Sequence, residues 1–332
     1  MCLAGNYCDS DSSSAYSRRG LDSEGTPKCL WRTHDGSSGA AVGEEAYSAM
    51  SGERLIVALL ALMASWPLQA LEQESLANIM ETTSIGGVAV EIRRAGGGVY
   101  PLIIFSHGMG GCPSGADGMQ SRLANAGYIV MAPKHADCIE RRTTPDVSWR
   151  KPREWTDQTN SDRRDDIHKI LDTLPSTGYA KHIESFDQVG CLGHSMGGYS
   201  CMGLAGAWES WKRDEVIAIA LLSPWHKPYA EQKQIKRIAN VRTLYQGGSK
   251  DRPISPDLAK ANGAYDQTHN PKYLQIFKRA RHSSWTDRPL SERFHEDMSY
   301  YIESFFDAAL KSGPEGKLEV KKGLVTELRF EH

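Results

Sequence analysis

The 332-residue chain lacks several features that would each have dictated its function. Its main apolar run, residues 55–66, is twelve residues without charge. A bilayer-spanning helix needs about 20, so no integral membrane span is expected. Net charge is −2, from 39 Lys and Arg against 41 Asp and Glu, and no basic stripe is present. Neither a nucleic acid nor an anionic membrane surface is therefore the expected partner. No Gly-Lys-Ser/Thr run follows the glycine-rich loop at 107–111, and no acidic residue stands at dinucleotide spacing, so that loop is not read as a phosphate cradle. His135, Asp137 and Cys138 lie together, but no second cluster follows at a zinc-like spacing, so no metal or other cofactor is expected. No internal repeat stands out.

What the chain does have is Gly193-His194-Ser195-Met196-Gly197-Gly198. A short apolar strand, 187–192, precedes it, and a helix-compatible stretch, 199–208, follows. A G-x-S-x-G run between strand and helix is a nucleophile elbow. The turn is too tight for side chains beside the serine, so Gly193 and Gly197 are expected on steric grounds. Ser195 is then held out toward a substrate, and the N–H of Met196 points to where an oxyanion would form. Upstream, the apolar strand Leu102-Ile103-Ile104-Phe105 opens into Ser106-His107-Gly108-Met109-Gly110-Gly111. Such a loop brings backbone N–H groups close to a reacting carbonyl, and Met109 is the expected second oxyanion donor. His107 precedes the elbow and reads as a brace of this loop beside the substrate.

A serine nucleophile needs a base and an orienting acid, which in this arrangement follow the elbow in the order acid, then histidine. The strand at 241–246 ends in Gly247-Gly248, with Asp251 three residues on, and His282 lies just past the strand at 273–277. Both fall at C-terminal strand ends, where open α/β sheets place their sites. Asp257 and Asp266 are rivals for the acid. His269 and His295 are rivals for the base, the first preceding the last strand and the second set in the terminal helix.

These motifs together resemble the α/β-hydrolase superfamily, and more narrowly the dienelactone-hydrolase-related branch with platelet-activating-factor acetylhydrolases, chlorophyllase-like proteins and cutinase-like polyester hydrolases. The resemblance rests on 105–111, 193–198, 247–251 and Ala280-Arg281-His282, and the helix at 164–174 also fits. It covers roughly residues 80 to 311. Dienelactone hydrolase itself uses a cysteine nucleophile where this chain has Ser195, which moves the expectation from lactones to ordinary carboxylic esters. The implied activity is a serine carboxylic ester hydrolase with an acyl-enzyme intermediate, on short-chain or polyester substrates. An amidase or lipid acetylhydrolase with the same triad, and a non-catalytic ligand-binding protein of the same fold, are the alternatives.

Strand and helix patterns alternate along the chain, with strands near 86–94, 102–106, 128–133, 187–192, 216–222, 241–246 and 273–277 and helices near 117–126, 162–174, 196–208 and 297–310. The expected architecture is α/β, a mostly parallel sheet with helices on both faces, forming a single domain over 71–332 and acting as a monomer. An insertion at 136–161 carries Trp149 and Trp155, which either wall the pocket or pack the loop onto the body. Trp225 and Trp285 follow strand ends and, with His107, are the candidate substrate-binding residues. The tail 313–332 alternates apolar residues and reads as a terminal hairpin. Residues 1–49 are rich in Ser, Gly and charge and are expected to be disordered or untranslated, with translation starting at Met50. Residues 50–70 read as a signal peptide cut after Ala70, which implies a secreted or periplasmic enzyme. Cys112 and Cys138 reach the same sheet edge, where in an exported protein they are either bridged or two buried thiols.

Overall fold

The computed structural model describes residues 78–332. The segment 1–49 and the expected signal peptide at 50–70 lie outside the described residues.

Among the described residues the strands are β1 (Asn78–Ile85), β2 (Val88–Ala95), β3 (Leu102–Ser106), β4 (Ile129–Pro133), β5 (Val189–His194), β6 (Val216–Leu222), β7 (Arg242–Gly248), β8 (Lys272–Phe277) and β9 (Val325–Glu331). They form one sheet in the order β1-β2-β4-β3-β5-β6-β7-β8-β9. The six strands from β4 to β8 in that order run parallel. β1 and β2 form an antiparallel edge, and β9 closes the other edge antiparallel to β8. β3, β4 and β5 are buried along their whole length, as expected for strands covered on both faces.

Four helices supply the layers over these central strands: α1 (Asp117–Asn125), α2 (Asp162–Thr173), α3 (Met196–Met202) and α4 (Glu292–Leu310). Alternate residues of one strand feed two cores. Ile103 and Phe105 of β3 pack with Leu123 of α1 and Phe305 of α4. Leu102 and Ile104 pack with Ile167 of α2 and Tyr199 of α3 on the opposite face. The sheet thus has helices on both sides, an α/β architecture with its apolar mass in two layers.

Three expectations need correction. The strand expected at 86–94 starts inside a tight turn: Gly86 and Gly87 have φ of 58° and 81°, the pair of left-handed positions that a two-residue hairpin needs. An additional strand, β1, precedes that turn. The helix expected at 196–208 is α-helical only to Met202 and continues as a π turn over Gly203–Ala207, within which Gly206 adopts φ 107°. The tail does not fold back on itself as a hairpin. Residues 315–318 form a single turn of 3-10 helix, and β9 pairs with β8, Lys272 opposite Glu331. Alternation in the sequence marks a strand but not its partner, and the free edge of β8 offered a full row of backbone donors and acceptors.

Candidate active site

β5 delivers Ser195 at φ 55° and ψ −113°, a strained region for a residue with a side chain. The surrounding backbone holds it there. Ser195 N donates to Leu222 O at 3.0 Å, and its own carbonyl accepts from Trp225 N at 2.9 Å. The flanking glycines are required by space rather than by flexibility. A Cβ on Gly193 would lie 2.2 Å from the Gly197 carbonyl oxygen, and one on Gly197 would lie 1.7 Å from that of Ser106. A disulfide, Cys191–Cys201, ties β5 to α3 across the elbow. Both cysteines sit among apolar core residues, and in the sequence they read only as strand and helix positions.

His282 follows β8 and Asp251 follows β7, and the structure brings both to Ser195. His282 Nε2 lies 2.9 Å from Ser195 Oγ, and His282 Nδ1 lies 3.2 Å from Asp251 Oδ2. Asp251 is buried, whereas the side chain of His282 is 43% exposed and reaches the cavity. The rivals stand elsewhere. Asp257 is held by Lys227 and Lys260, at 3.0 and 2.7 Å, and Asp266 accepts from Asn262 N at 2.8 Å. His269 is exposed and bonded to Lys236 O, and His295 lies within α4.

Two neighbours of Ser195, His282 and Asp251 carried no expectation from the sequence. His194 donates through Nε2 to the carbonyl of His282 at 2.7 Å, bracing the loop that carries the imidazole. Ser223, at the end of β6, hydrogen-bonds both Asp251 Oδ2 and His282 Nδ1. His194 occupies a variable position of the elbow motif, and Ser223 is one serine after an apolar strand, so neither carries a signal in the sequence beyond its place at a strand end.

The loop at 107–111 is built over a polar network that sequence reasoning also missed. Arg163 lies in the apolar stripe of α2 and is fully buried. It donates to His107 O at 2.7 Å and to both oxygens of the buried Asp137, at 2.9 and 2.7 Å. Asp137 in turn accepts from Gly110 N at 2.7 Å. Behind them His135 bonds Ser106 Oγ at 3.0 Å and Asp166 at 2.8 Å. This is a second Ser-His-Asp chain, but Ser106 and His135 are sealed inside the protein, so it braces and cannot meet substrate. The Cys112–Cys138 disulfide locks the far end of the loop to the turn carrying Asp137, the bridged alternative of the two weighed from sequence. Gly108 packs against Ser195: a Cβ there would lie 3.4 Å from Ser195 Cβ. Met109 lines the cavity, and Met196 opens α3, where an N–H has no acceptor within its own helix.

The cavity over Ser195 has a volume of about 260 Å³ and is lined by the loop, His194, His282, Ser283, Thr286 and Arg288. His107 lines it from below. Trp225 and Trp285, the candidate substrate-binding residues, do not. Trp285 turns into the core, where its Nε1 donates to Gln246 Oε1 at 3.0 Å. Trp225 is nearly buried against Trp149 and Trp155, with ring centroids 4.9 and 5.8 Å away. The tryptophans of the insertion therefore pack it onto the body. Position at a strand end does not say which way a side chain turns.

Residues 68–152 match the family model of platelet-activating factor acetylhydrolase, isoform II. The sheet order, the elbow and that match agree on one architecture. The fold is that of the α/β-hydrolases. The matched residues include β1 to β4 and the loop at 107–111, and end before the elbow strand. The match supports an ester-hydrolysing enzyme. No curated protein matches the sequence. Among the described residues of this hydrolase no helix is long and apolar enough to cross a membrane. The two disulfides among the described residues are consistent with a secreted protein.

Four histidines of the hydrolase are buried in neutral form. Burial pushes His194 and His226 down to about 4, and burial, with the Arg163 charge second, holds His107 and His135 well below the ordinary value of 6.5. Below pH 6.5 the unfolded chain takes up these protons and the native state does not, so stability falls as pH drops. Asp166, which burial raises to about 6, acts in the opposite sense, losing stability as pH rises through that value, and Asp162 and Glu303, also raised by burial, act with it. The four histidines outweigh these three carboxyl groups. The urea midpoint should decline steadily from pH 6.5 to about pH 4, and a midpoint flat across that window would contradict the assignment of neutral histidines.

Proposed function

We propose that the chain is a serine carboxylic ester hydrolase. The observation that carries this reading is the 2.9 Å contact of Ser195 Oγ with His282 Nε2, at a strained elbow on the floor of a cavity. His282 Nε2 takes the proton of Ser195 as Oγ attacks the ester carbonyl. Asp251 accepts from Nδ1–H and stabilises the imidazolium. The N–H groups of Met109 and Met196 hold the oxyanion, each such donor contributing about 3 kcal/mol in comparable sites. The alcohol leaves with the proton from His282. Water, deprotonated by the same ring, then releases the acid from the acyl-enzyme. The signal segment expected at 50–70 and the disulfides at the site support a secreted or periplasmic location.

The cavity's 260 Å³ lies just below the range of about 300–1,000 Å³ usual for drug-sized ligands, which favours a short acyl group. An organophosphonate should add once per chain, at Ser195. Across p-nitrophenyl esters, kcat/KM should be highest for acetyl to butyryl and drop at least tenfold by the octanoyl ester. A label mapping to another residue overturns the nucleophile, and a profile rising toward long chains overturns the short-acyl reading. A polyester film in the same panel tests whether a protruding chain end is accepted.

A further inference from the structure

Ser223 immediately follows β6, fully buried, with φ 44°. That left-handed backbone suits glycine and disfavours a residue with a Cβ. The backbone is pinned by Ser223 N donating to Gln246 O at 2.8 Å. The position would be filled with less strain by glycine, yet it carries a hydroxyl, and that hydroxyl reaches two members of the triad.

Counting protons fixes the direction of each bond. Asp251 is a carboxylate and can only accept, so the single hydroxyl proton of Ser223 goes to Asp251 Oδ2. Ser223 Oγ is then left with lone pairs, 2.9 Å from His282 Nδ1, against 3.2 Å for Asp251 Oδ2. The Nδ1–H of His282 is shared between the two oxygens, with the hydroxyl oxygen the nearer. A ring in this arrangement has its proton on Nδ1 and its lone pair on Nε2, facing Ser195.

We infer that Ser223 is a positioning residue of the proposed reaction, its hydroxyl fixing both the His282 tautomer and the rotamer of Asp251. The inference rests on the Ser195-His282-Asp251 triad being the working one. When His282 becomes an imidazolium during attack, its Nδ1–H keeps two acceptors, and Asp251 keeps a donor that prevents it from swinging away. Without the hydroxyl, the longer bond to Asp251 is the ring's sole anchor at Nδ1.

Ser223→Gly is the informative variant, because it removes the hydroxyl while relieving the backbone. Relief of the backbone offsets the loss of a hydrogen bond to the buried Asp251, so the variant's thermal midpoint should stay within about 3 °C of the wild type. Its kcat on p-nitrophenyl acetate should fall about 10- to 100-fold, the scale of one hydrogen bond to a charged partner, with KM within about twofold. Phosphonate labelling of Ser195 should slow by a similar factor, and the Nδ1 proton resonance of His282 should move. Wild-type kcat and labelling rate in Ser223→Gly would overturn the inference while leaving the triad standing. If the wild type itself is not labelled at Ser195, the triad reading fails and the inference with it.

Discussion

Ser195→Ala should lower kcat by about 10⁶, the cost of removing the nucleophile in serine proteases of the same constellation. Stability should hardly change. The strain of the elbow sits in the backbone, and alanine keeps the Cβ that packs against Gly108. The partner left behind, His282, is 43% exposed and can bond water in place of Oγ. The thermal midpoint should therefore stay within about 2 °C, the expectation for a change of ~0.5 kcal/mol in a domain of this size. Hydrolysis rates with p-nitrophenyl acetate, read beside a melting curve, check both halves. Retained activity in a folded variant would mean that Ser195 is not the attacking group.

Asp251→Asn should lower kcat by about 10⁴, with the fold intact. An amide in place of the carboxylate presents a donor to His282 Nδ1, so the ring turns its proton to Nε2 and cannot accept from Ser195. Asp257→Asn and Asp266→Asn serve as controls, since the first loses lysine partners and the second a backbone contact and a long ion pair with Arg329, none of them near Ser195. Both should keep kcat within about threefold, as surface changes do. A crippled Asp257→Asn or Asp266→Asn beside an active Asp251→Asn would move the acid to the other position.

The elbow was legible in the sequence because its geometry forces composition: nothing larger than hydrogen fits at 193 or 197, so the glycines announce the turn. The alternation of strands and helices around it was legible too, since parallel strands need helical crossovers to connect them. The polar supports were not legible. Arg163 occupies a position that helical periodicity assigns to an apolar residue, and only the buried Asp137 opposite explains it. Ser223 and Asp251 meet across 28 residues of chain, a separation that leaves no local pattern. Cys112 and Cys138 could be paired because each ends beside a strand placed on the same edge. Cys191 and Cys201 read as core residues, since a half-cystine and a buried thiol suit an apolar strand equally well. The tryptophans misled for a related reason, because side-chain direction at a strand end is set by tertiary packing.

The Cys191–Cys201 bridge closes a covalent ring, ten residues apart in sequence, with Ser195 inside it. One side of that ring is β5, at the centre of the sheet and hydrogen-bonded on both edges. Fraying of β1 or β9 at the rims leaves the ring closed and Ser195 at its angle. In the oxidised protein the angle of Ser195 is therefore tied to the central strands, while His282 and Asp251 hang on loops outside the ring. Heat that disarms the site first has to act through those loops, for as long as the surroundings keep the sulfurs joined.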